Sequence, residues 1–136
     1  MITRMDHVTI YVLDQDVAYD FYVNKLGFEV RTDATFGEGN RWLTVGPKGQ
    51  SDLEIVLMLP ETTCGEDPSL AAAVRDLVGR GALGAGVFQS SDIRKDYEEL
   101  TEKGVVFKGP PEEQFYGIEA VMVDPFGNWF SVTQRK

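Results

Sequence analysis

The sequence repeats itself at a spacing of about 78 residues. Four pairs of helix-capping or turn-forming residues lie 78 positions apart, or in the last case 77: Asp14 and Asp92, Pro47 and Pro125, Gly49 and Gly127, Gly27 and Gly104. Asp favours the first position of a helix, Gly its end, and Pro-x-Gly a tight turn. Because all of these signals recur in the same order, we expect two copies of one supersecondary unit.

The first copy is predicted to contain one strand, one helix and three further strands. Residues 6–12 alternate, with Val8, Ile10 and Val12 on one side, as in a strand with two different faces. The helix is expected to run from Asp14 to about Lys25, with a buried stripe of Val17, Phe21 and Tyr22. The remaining strands are predicted at 28–32, 41–45 and 53–58.

The second copy follows the same order. A strand at 85–90 precedes a helix that Asp92 caps, with Ile93, Tyr97 and Leu100 on one face. Further strands are predicted at 105–107, 118–123 and 129–133. Each copy is therefore a βαβββ module, at residues 1–58 and 85–136, and residues 59–84 form a linker with a short helix at 69–78.

A module of about 55 residues cannot bury both faces of its sheet alone. We therefore predict a single compact domain of the α+β class, with two βαβββ modules forming a curved mixed sheet around a cavity. The helix-facing set is predicted to be apolar: Val8, Ile10, Val12, Leu43, Val45, Val121 and Val123. The opposite parity lines the cavity: His7, Thr9, Tyr11, Trp42, Thr44, Glu54, Val56, Met58, Ala85, Val87, Gln89, Ala120, Met122, Trp129, Ser131 and Thr133.

Composition restricts the partners of this chain. Of its 136 residues, 43% are hydrophobic and 26% charged, as in a globular protein. The 22 acidic residues against 13 basic ones give a net charge of -9, which argues against nucleic-acid binding. No apolar run approaches the ~20 residues of a membrane helix. With one cysteine, Cys64, and no apolar signal segment, the expected location is the cytoplasm.

Several short motifs resemble one known family. They are Asp6-His7-Val8-Thr9-Ile10, the segment 21–28, Glu102-Lys103-Gly104-Val105, and the turn 124–129 with the sequence DPFGNW. In this order they resemble the vicinal oxygen chelate superfamily, which includes glyoxalase I, extradiol dioxygenases, fosfomycin-resistance enzymes and bleomycin-resistance proteins. The resemblance covers nearly the whole chain. It implies the glyoxalase/bleomycin-resistance fold and a homodimer, swapped or unswapped, with two equivalent cavities.

The resemblance also implies where a metal would bind. Metal-dependent members carry a His on the first strand and a Glu on the last strand of a module, which His7 and Glu54 match. The matching positions of the second module hold Ala85 and Ser131, although Gln89 offers an amide oxygen nearby. A catalytic zinc site uses three protein ligands. No cofactor is therefore predicted, and a divalent metal on His7 and Glu54 stays as an alternative.

The remaining candidates are ligand contacts. Aromatic and Met side chains of cavity parity suit a planar or cationic ligand, although filling of the core is the simpler interpretation of each. The predicted contacts are Tyr11, Trp42, Met58, Gln89, Tyr116, Met122, Trp129 and Ser131. For Trp129, closure of the neighbouring hairpin is the alternative, and for Tyr116 it is surface packing. Residues 36–41 are expected to form a flexible loop beside the site.

Two functional hypotheses follow. The first is a protein that binds a small organic molecule in an aromatic-lined cavity without a complete metal site, similar to the bleomycin-resistance proteins. The alternative is a divalent-metal-dependent lyase or isomerase of the glyoxalase type that uses His7 and Glu54, or His7 alone as a base. Extradiol dioxygenase activity is disfavoured because its iron needs two His, and the chain has one.

Overall fold

The chain folds into two compact units, Met1–Asp76 and Leu77–Lys136. This is a computed structural model that describes all residues from 1 to 136. Each unit contains one βαβββ module, so the predicted α+β class with two such modules is confirmed. None of the helices has both the length and the apolar character needed to cross a membrane.

The first unit is built around a four-stranded sheet. Its elements are β1 (His7–Tyr11), α1 (Gln15–Tyr19), a π-helical turn (Asp20–Lys25), β2 (Glu29–Phe36), β3 (Asn40–Gly46), β4 (Glu54–Met58) and α2 (Pro60–Cys64). The strand order is β1-β4-β3-β2, with β1 parallel to β4 and the other pairs antiparallel. Leu43 and Val45 are fully buried, as predicted, whereas Val8 from the same predicted set is 36% exposed.

The buried face of the first helix differs from the prediction by one residue. Asp14 caps α1 as expected, accepting a hydrogen bond from the Val17 N–H at 3.0 Å. However, Val17 is 43% exposed, whereas Ala18, Phe21 and Tyr22 are buried. With Phe21 and Tyr22 both buried, the centre of the stripe lies between them, and one turn of 3.6 residues earlier is Ala18. The π-helical turn that follows Tyr19 accommodates this neighbouring pair.

The segment predicted as a flexible loop at 36–41 is a tight hairpin. Phe36 pairs with Asn40, and the strands β2 and β3 continue on either side of the turn. Gly37 and Gly39 have φ of 55° and 80°, a conformation that glycine adopts without strain. The segment is therefore not an open loop, because the two glycines close a turn between paired strands.

The second unit contains a five-stranded sheet. The helix α3 (Pro68–Gly79) contains the boundary between the units, and β5 (Gly84–Gln89), α4 (Ile93–Glu102), β6 (Val106–Phe107), β7 (Glu112–Gln114), β8 (Gly117–Val123) and β9 (Trp129–Arg135) follow. The order is β5-β9-β8-β6, β5 is parallel to β9, and β7 also pairs with β8. The sequence did not predict β7, since its three residues are polar and exposed.

The predicted parity of β8 is wrong by one residue. Met122 pairs with Phe130 and is 2% exposed, so it belongs to the buried face and not to the face of Ser131. Ala120 lies on that same buried face, at 3% exposure. Val121 pairs with Ser131 instead. Both faces of β8 carry apolar residues, so their pattern does not distinguish the buried face from the other one. Glu119, which shares its parity with Val121, identifies the other face, which with Ser131 and Thr133 of β9 is called the open face of the second unit.

The turn between β8 and β9 is held by one carboxylate. Asp124 Oδ1 accepts hydrogen bonds from the backbone N–H groups of Phe126, Gly127 and Asn128. Its other oxygen, Oδ2, accepts from Asn128 Nδ2 at 2.8 Å. A Cβ on Gly127 would lie 2.1 Å from the Val78 carbonyl oxygen, so this position requires glycine. The turn therefore fixes where β9 starts, and with it the open face of the second unit.

Candidate functional site

The open face of the first unit holds the predicted pair of His7 and Glu54. Parallel pairing of β1 with β4 places the two residues in register. His7 Nε2 lies 3.0 Å from Glu54 Oε2, and the Thr44 hydroxyl donates to Glu54 Oε1 at 2.8 Å. Thr44 is fully buried, whereas the side chains of His7 and Glu54 are 40% and 30% exposed. The Glu54 carboxylate is thus held in place by a buried hydroxyl group and is still accessible to solvent.

Two aromatic rings extend this face. The His7 and Trp42 ring centroids are 6.1 Å apart, and Phe36 meets Trp42 edge-on at 6.2 Å. Phe36 is 42% exposed, and the sequence missed it because residue 36 was placed in a loop, where parity has no meaning. Its signal was the pairing of β2 with β3, which puts Phe36 and Trp42 on the same face.

Tyr11 and Met58 lie at the other end of the same face. The Tyr11 hydroxyl is hydrogen-bonded to the Thr63 hydroxyl at 2.9 Å, which ties β1 to α2. Met58 pairs with Tyr11 and is only 6% exposed. Both residues have the predicted parity, and their contacts within the unit are those of packing residues; a ligand contact at either one stays a prediction.

The donor set around His7 does not fit a catalytic zinc ion. His7 and Glu54 supply two donors, and no group of three or more His, Cys, Asp or Glu side chains in the chain is placed to hold a metal. Three protein ligands are the usual number in a catalytic zinc site. In the second unit, Ala85 lies in a β-bulge, so Ser131 pairs with Val87 instead. Neither Ala nor Val can donate to a metal.

The open face of the second unit carries a chain of hydroxyl groups on one carboxylate. Ser131 Oγ donates to Glu119 Oε2 and is itself 3.0 Å from Thr133 Oγ1. A hydrogen bond from the Tyr116 hydroxyl to Glu119 raises the pKa of Tyr116, with smaller contributions from desolvation and the Glu119 charge. The structure thus brings together the predicted residues Tyr116 and Ser131 through Glu119, which the sequence analysis did not select.

These residues line a depression of about 620 Å³ in the second unit. Its walls are apolar and aromatic in one part and polar in another; the lining residues are Val87, Phe115, Tyr116, Glu119, Ser131, Thr133, Arg135 and Lys136. Phe115 is 88% exposed and meets Tyr116 edge-on at 5.0 Å. Val87 is 72% exposed. Gln89 pairs with Thr133 on this face but does not line the depression.

Trp129 is engaged within its own unit. The indole Nε1 donates to the Gly81 carbonyl at 3.1 Å, and the Lys108 ammonium lies 5.1 Å from the ring centroid. A Cβ on Gly84 would lie 2.6 Å from Trp129 Cζ2, so the ring packs directly on the β5 backbone. Trp129 therefore packs against the start of β5 and not only against the neighbouring hairpin, and a ligand contact at this residue stays a prediction.

A second depression, of about 700 Å³, lies in the first unit beside α1 and the β2–β3 hairpin. Arg41 occupies it, with Nε 2.8 Å from Asp33 Oδ1 and Nη1 2.7 Å from Asp16 Oδ1. The hydrogen bond from Arg41 lowers the pKa of Asp33, against a smaller opposing effect of burial. Arg41 thus pairs with two of the three carboxylates that line this depression, and the excess of Asp14, Asp16 and Asp33 over one arginine leaves it acidic.

Comparison with known proteins places the chain among small proteins of similar length. A family model described as "Glyoxalase/Bleomycin resistance protein/Dioxygenase superfamily" matches residues 4–132. YurT of Bacillus subtilis (strain 168), an uncharacterised protein, is 35% identical over 128 residues, 93% of this chain and 95% of its own length. The crystal structure of UcmS2 has 48% identity and a TM-score of 0.88, with 98% of each chain covered. TnmS3, an antibiotic binding protein from Streptomyces sp. CB03234, has 30% identity and a TM-score of 0.76, covering 99% of this chain and 98% of its own.

Proposed function

Because this chain belongs to the glyoxalase/bleomycin resistance protein/dioxygenase superfamily, we propose that it binds a small organic molecule without using a complete metal site. Binding needs affinity and not chemistry, so the replacement of a second pair of metal ligands by Ala85 and Ser131 does not impair it. The superfamily contains both binders and enzymes, so the fold alone does not choose between them. The choice rests on the residues of the open faces.

The observation that carries this proposal is the depression in the second unit. Its walls include the exposed side chains of Phe115, Tyr116 and Val87, which offer apolar area to a ligand at little cost in ordering. A volume of about 620 Å³ matches ligand pockets in general. The antibiotic-binding relative, similar over nearly its whole length, supports the same class of ligand.

The test is a screen of planar aromatic compounds by thermal shift, followed by calorimetric titration of the compounds that stabilise the protein. We expect saturable binding that persists in excess EDTA and weakens in Phe115→Ala. Leu70→Ala is the matched control, because Leu70 is 50% exposed on α3 and lies outside the depression. Equal losses in both variants, or binding abolished by EDTA, would contradict the proposal.

The second candidate function is a metal-dependent lyase or isomerase of the glyoxalase type. The distance of 3.0 Å between His7 Nε2 and Glu54 Oε2 favours it, because the structure brings an imidazole nitrogen and a carboxylate oxygen, two usual metal ligands, to one place. The donor count opposes it, since groups other than His7 and Glu54 would have to supply every further ligand. Stoichiometric metal in the purified protein, lost in His7→Ala, would make this the leading function.

We also propose that the protein is a cytoplasmic homodimer. The family resemblance supports the dimer, and the single cysteine supports the location. Light scattering coupled to size-exclusion chromatography measures the first, and a single-chain mass would contradict it. Cell fractionation tests the second.

A further inference from the structure

We infer that the ligand of the second-unit depression is an aromatic compound with an oxygen acceptor, and that Arg135 binds this acceptor. A carboxylate is the acceptor that fits Arg135 best. The inference rests on the proposed function and adds the chemical class of the ligand. It starts from the hydrogen-bonding groups that the depression leaves unused.

Most polar groups in the depression already have partners. Ser131 and Tyr116 donate to Glu119, and the Thr133 hydroxyl is in contact with Ser131. Glu119 thus receives two hydroxyl donors, which occupy part of its acceptor capacity. A ligand that donates a hydrogen bond to Glu119 would compete with these hydroxyl groups.

Arg135 is different, because its side chain makes no hydrogen bond or ion pair within the chain. A guanidinium has five N–H donors and no acceptor, and its planar fork matches a carboxylate in bidentate geometry. The Arg135 guanidinium therefore offers the largest number of unused hydrogen-bond donors in the depression. A ligand with an oxygen acceptor satisfies them.

The position of Arg135 suits a ligand that also touches the aromatic rings. Arg135 follows Ser131 and Thr133 at two-residue steps along β9, so all three side chains start from one face of the sheet. It pairs with Gly117, the neighbour of Tyr116. A Cβ on Gly117 would lie 2.2 Å from the Gln134 carbonyl oxygen, so the two strands are in close contact beside Arg135.

The local charge contrasts with that of the whole chain. The chain carries -9, yet the depression is lined by two cationic residues, Arg135 and Lys136, and one carboxylate, Glu119, with Glu112 opposite Glu119 on β7. Near contacts decide affinity at physiological salt, because the field of distant exposed charges is screened beyond about 8 Å. The charges around the depression are therefore balanced, so the negative charge of the whole chain does not exclude an anionic group next to Arg135.

The experiment is calorimetric titration with three probes that share one aromatic body: 2-naphthoate, 2-naphthamide and 2-(aminomethyl)naphthalene. We expect 2-naphthoate to bind at least about tenfold more tightly than the other two, as a charge-assisted hydrogen bond implies. Arg135→Ala should remove this preference, and Arg135→Lys should restore part of it. The matched control is Arg94→Ala, an exposed arginine on α4 outside the depression.

The outcomes separate the inference from the proposed function. Equal binding of the three probes, all weakened by Phe115→Ala, would leave the binding function in place and overturn the role of Arg135. A preference for the amine that Glu119→Gln removes would also overturn it. If none of the probes binds while the wider screen finds a ligand, the aromatic carboxylate class is wrong. If the screen finds none either, the proposed function fails as well.

Discussion

Glu54 uses both of its carboxylate oxygens within the first unit: Oε2 lies 3.0 Å from His7 Nε2, and Oε1 accepts the Thr44 hydroxyl at 2.8 Å. Because Thr44 is fully buried, its hydroxyl has no access to water and depends on Glu54 for its acceptor. The pair that resembles a metal-binding site is thus also part of the packing of the sheet.

This relationship predicts a stability difference between two substitutions. Glu54→Ala leaves the buried Thr44 hydroxyl without an acceptor, at an expected cost of about 1–3 kcal/mol in the free energy of unfolding. Glu54→Gln keeps an acceptor oxygen and should cost clearly less. Urea denaturation of the two variants measures the difference. Equal costs would mean that Thr44 finds another partner.

Metal binding at the same pair should be weak. Two protein donors are expected to give no saturable binding of Zn²⁺, Mn²⁺, Ni²⁺ or Fe²⁺ in the micromolar range, because a catalytic site uses three. Calorimetric titration of the purified protein checks this, with His7→Ala as the control. One tightly bound ion per chain that the control loses would show that the missing ligands come from elsewhere.

Trp129 and Gly84 should be energetically coupled. Gly84→Ala places a Cβ within 2.6 Å of the indole, so the ring has to move and its hydrogen bond to Gly81 weakens. Trp129→Ala should destabilise the protein by about 3 kcal/mol, and Gly84→Ala should then add little. Thermal unfolding of the single and double variants gives the coupling energy. Gly49→Ala is the control, since no atom lies within 4 Å of the added Cβ there.

Tyr116 should titrate at higher pH than an ordinary tyrosine. The hydrogen bond to Glu119 favours the neutral phenol and raises its pKa. Its contribution to stability is therefore present below the ordinary pKa of tyrosine, about 10, and is lost as the pH rises through the raised value. Ultraviolet absorbance titration resolves this phenol by difference from Tyr116→Phe. In Glu119→Gln its pKa should fall, and an unchanged value would contradict the assignment.

The sequence predicted the modules well because their signals are local. Asp14 and Asp92 cap the two helices as expected, and the period-two pattern of β1 separates its two faces. It also paired His7 with Glu54, since strand parity and the family resemblance point to the same face. These features need no knowledge of distant contacts.

The features that the sequence missed depend on pairing between strands. Met122 was placed on the wrong face because β8 is apolar on both sides, and only Glu119 distinguishes them. The bulge at Ala85 shifts Ser131 opposite Val87, which an offset of 78 residues cannot reveal. Phe36 and Phe115 lie in segments that the sequence analysis treated as loops, so neither residue was assigned to a face of a sheet. Trp129 has the parity of the open face, and only its tertiary contacts show that it packs on Gly84.

The ion pair of Asp33 with Arg41 should make acid stability depend on one carboxylate. Arg41 lowers the pKa of Asp33 in the folded protein, so the pair contributes stability above the ordinary pKa of aspartate, near 4, and loses it as the pH falls through the lowered value. Because Asp33 is about one-third exposed, we expect Asp33→Asn to cost no more than about 1 kcal/mol at neutral pH. The difference from the unsubstituted protein should shrink towards zero below pH 4.

Urea denaturation at several pH values between neutral and strongly acidic measures that difference. Glu38→Gln removes one exposed carboxylate from the neighbouring turn, outside any ion pair, and controls for the change in net charge. A difference that stays constant with pH in Asp33→Asn would mean that the substitution acts through packing and not through the charge of the carboxylate. A difference of the same size in both variants would assign the effect to net charge alone.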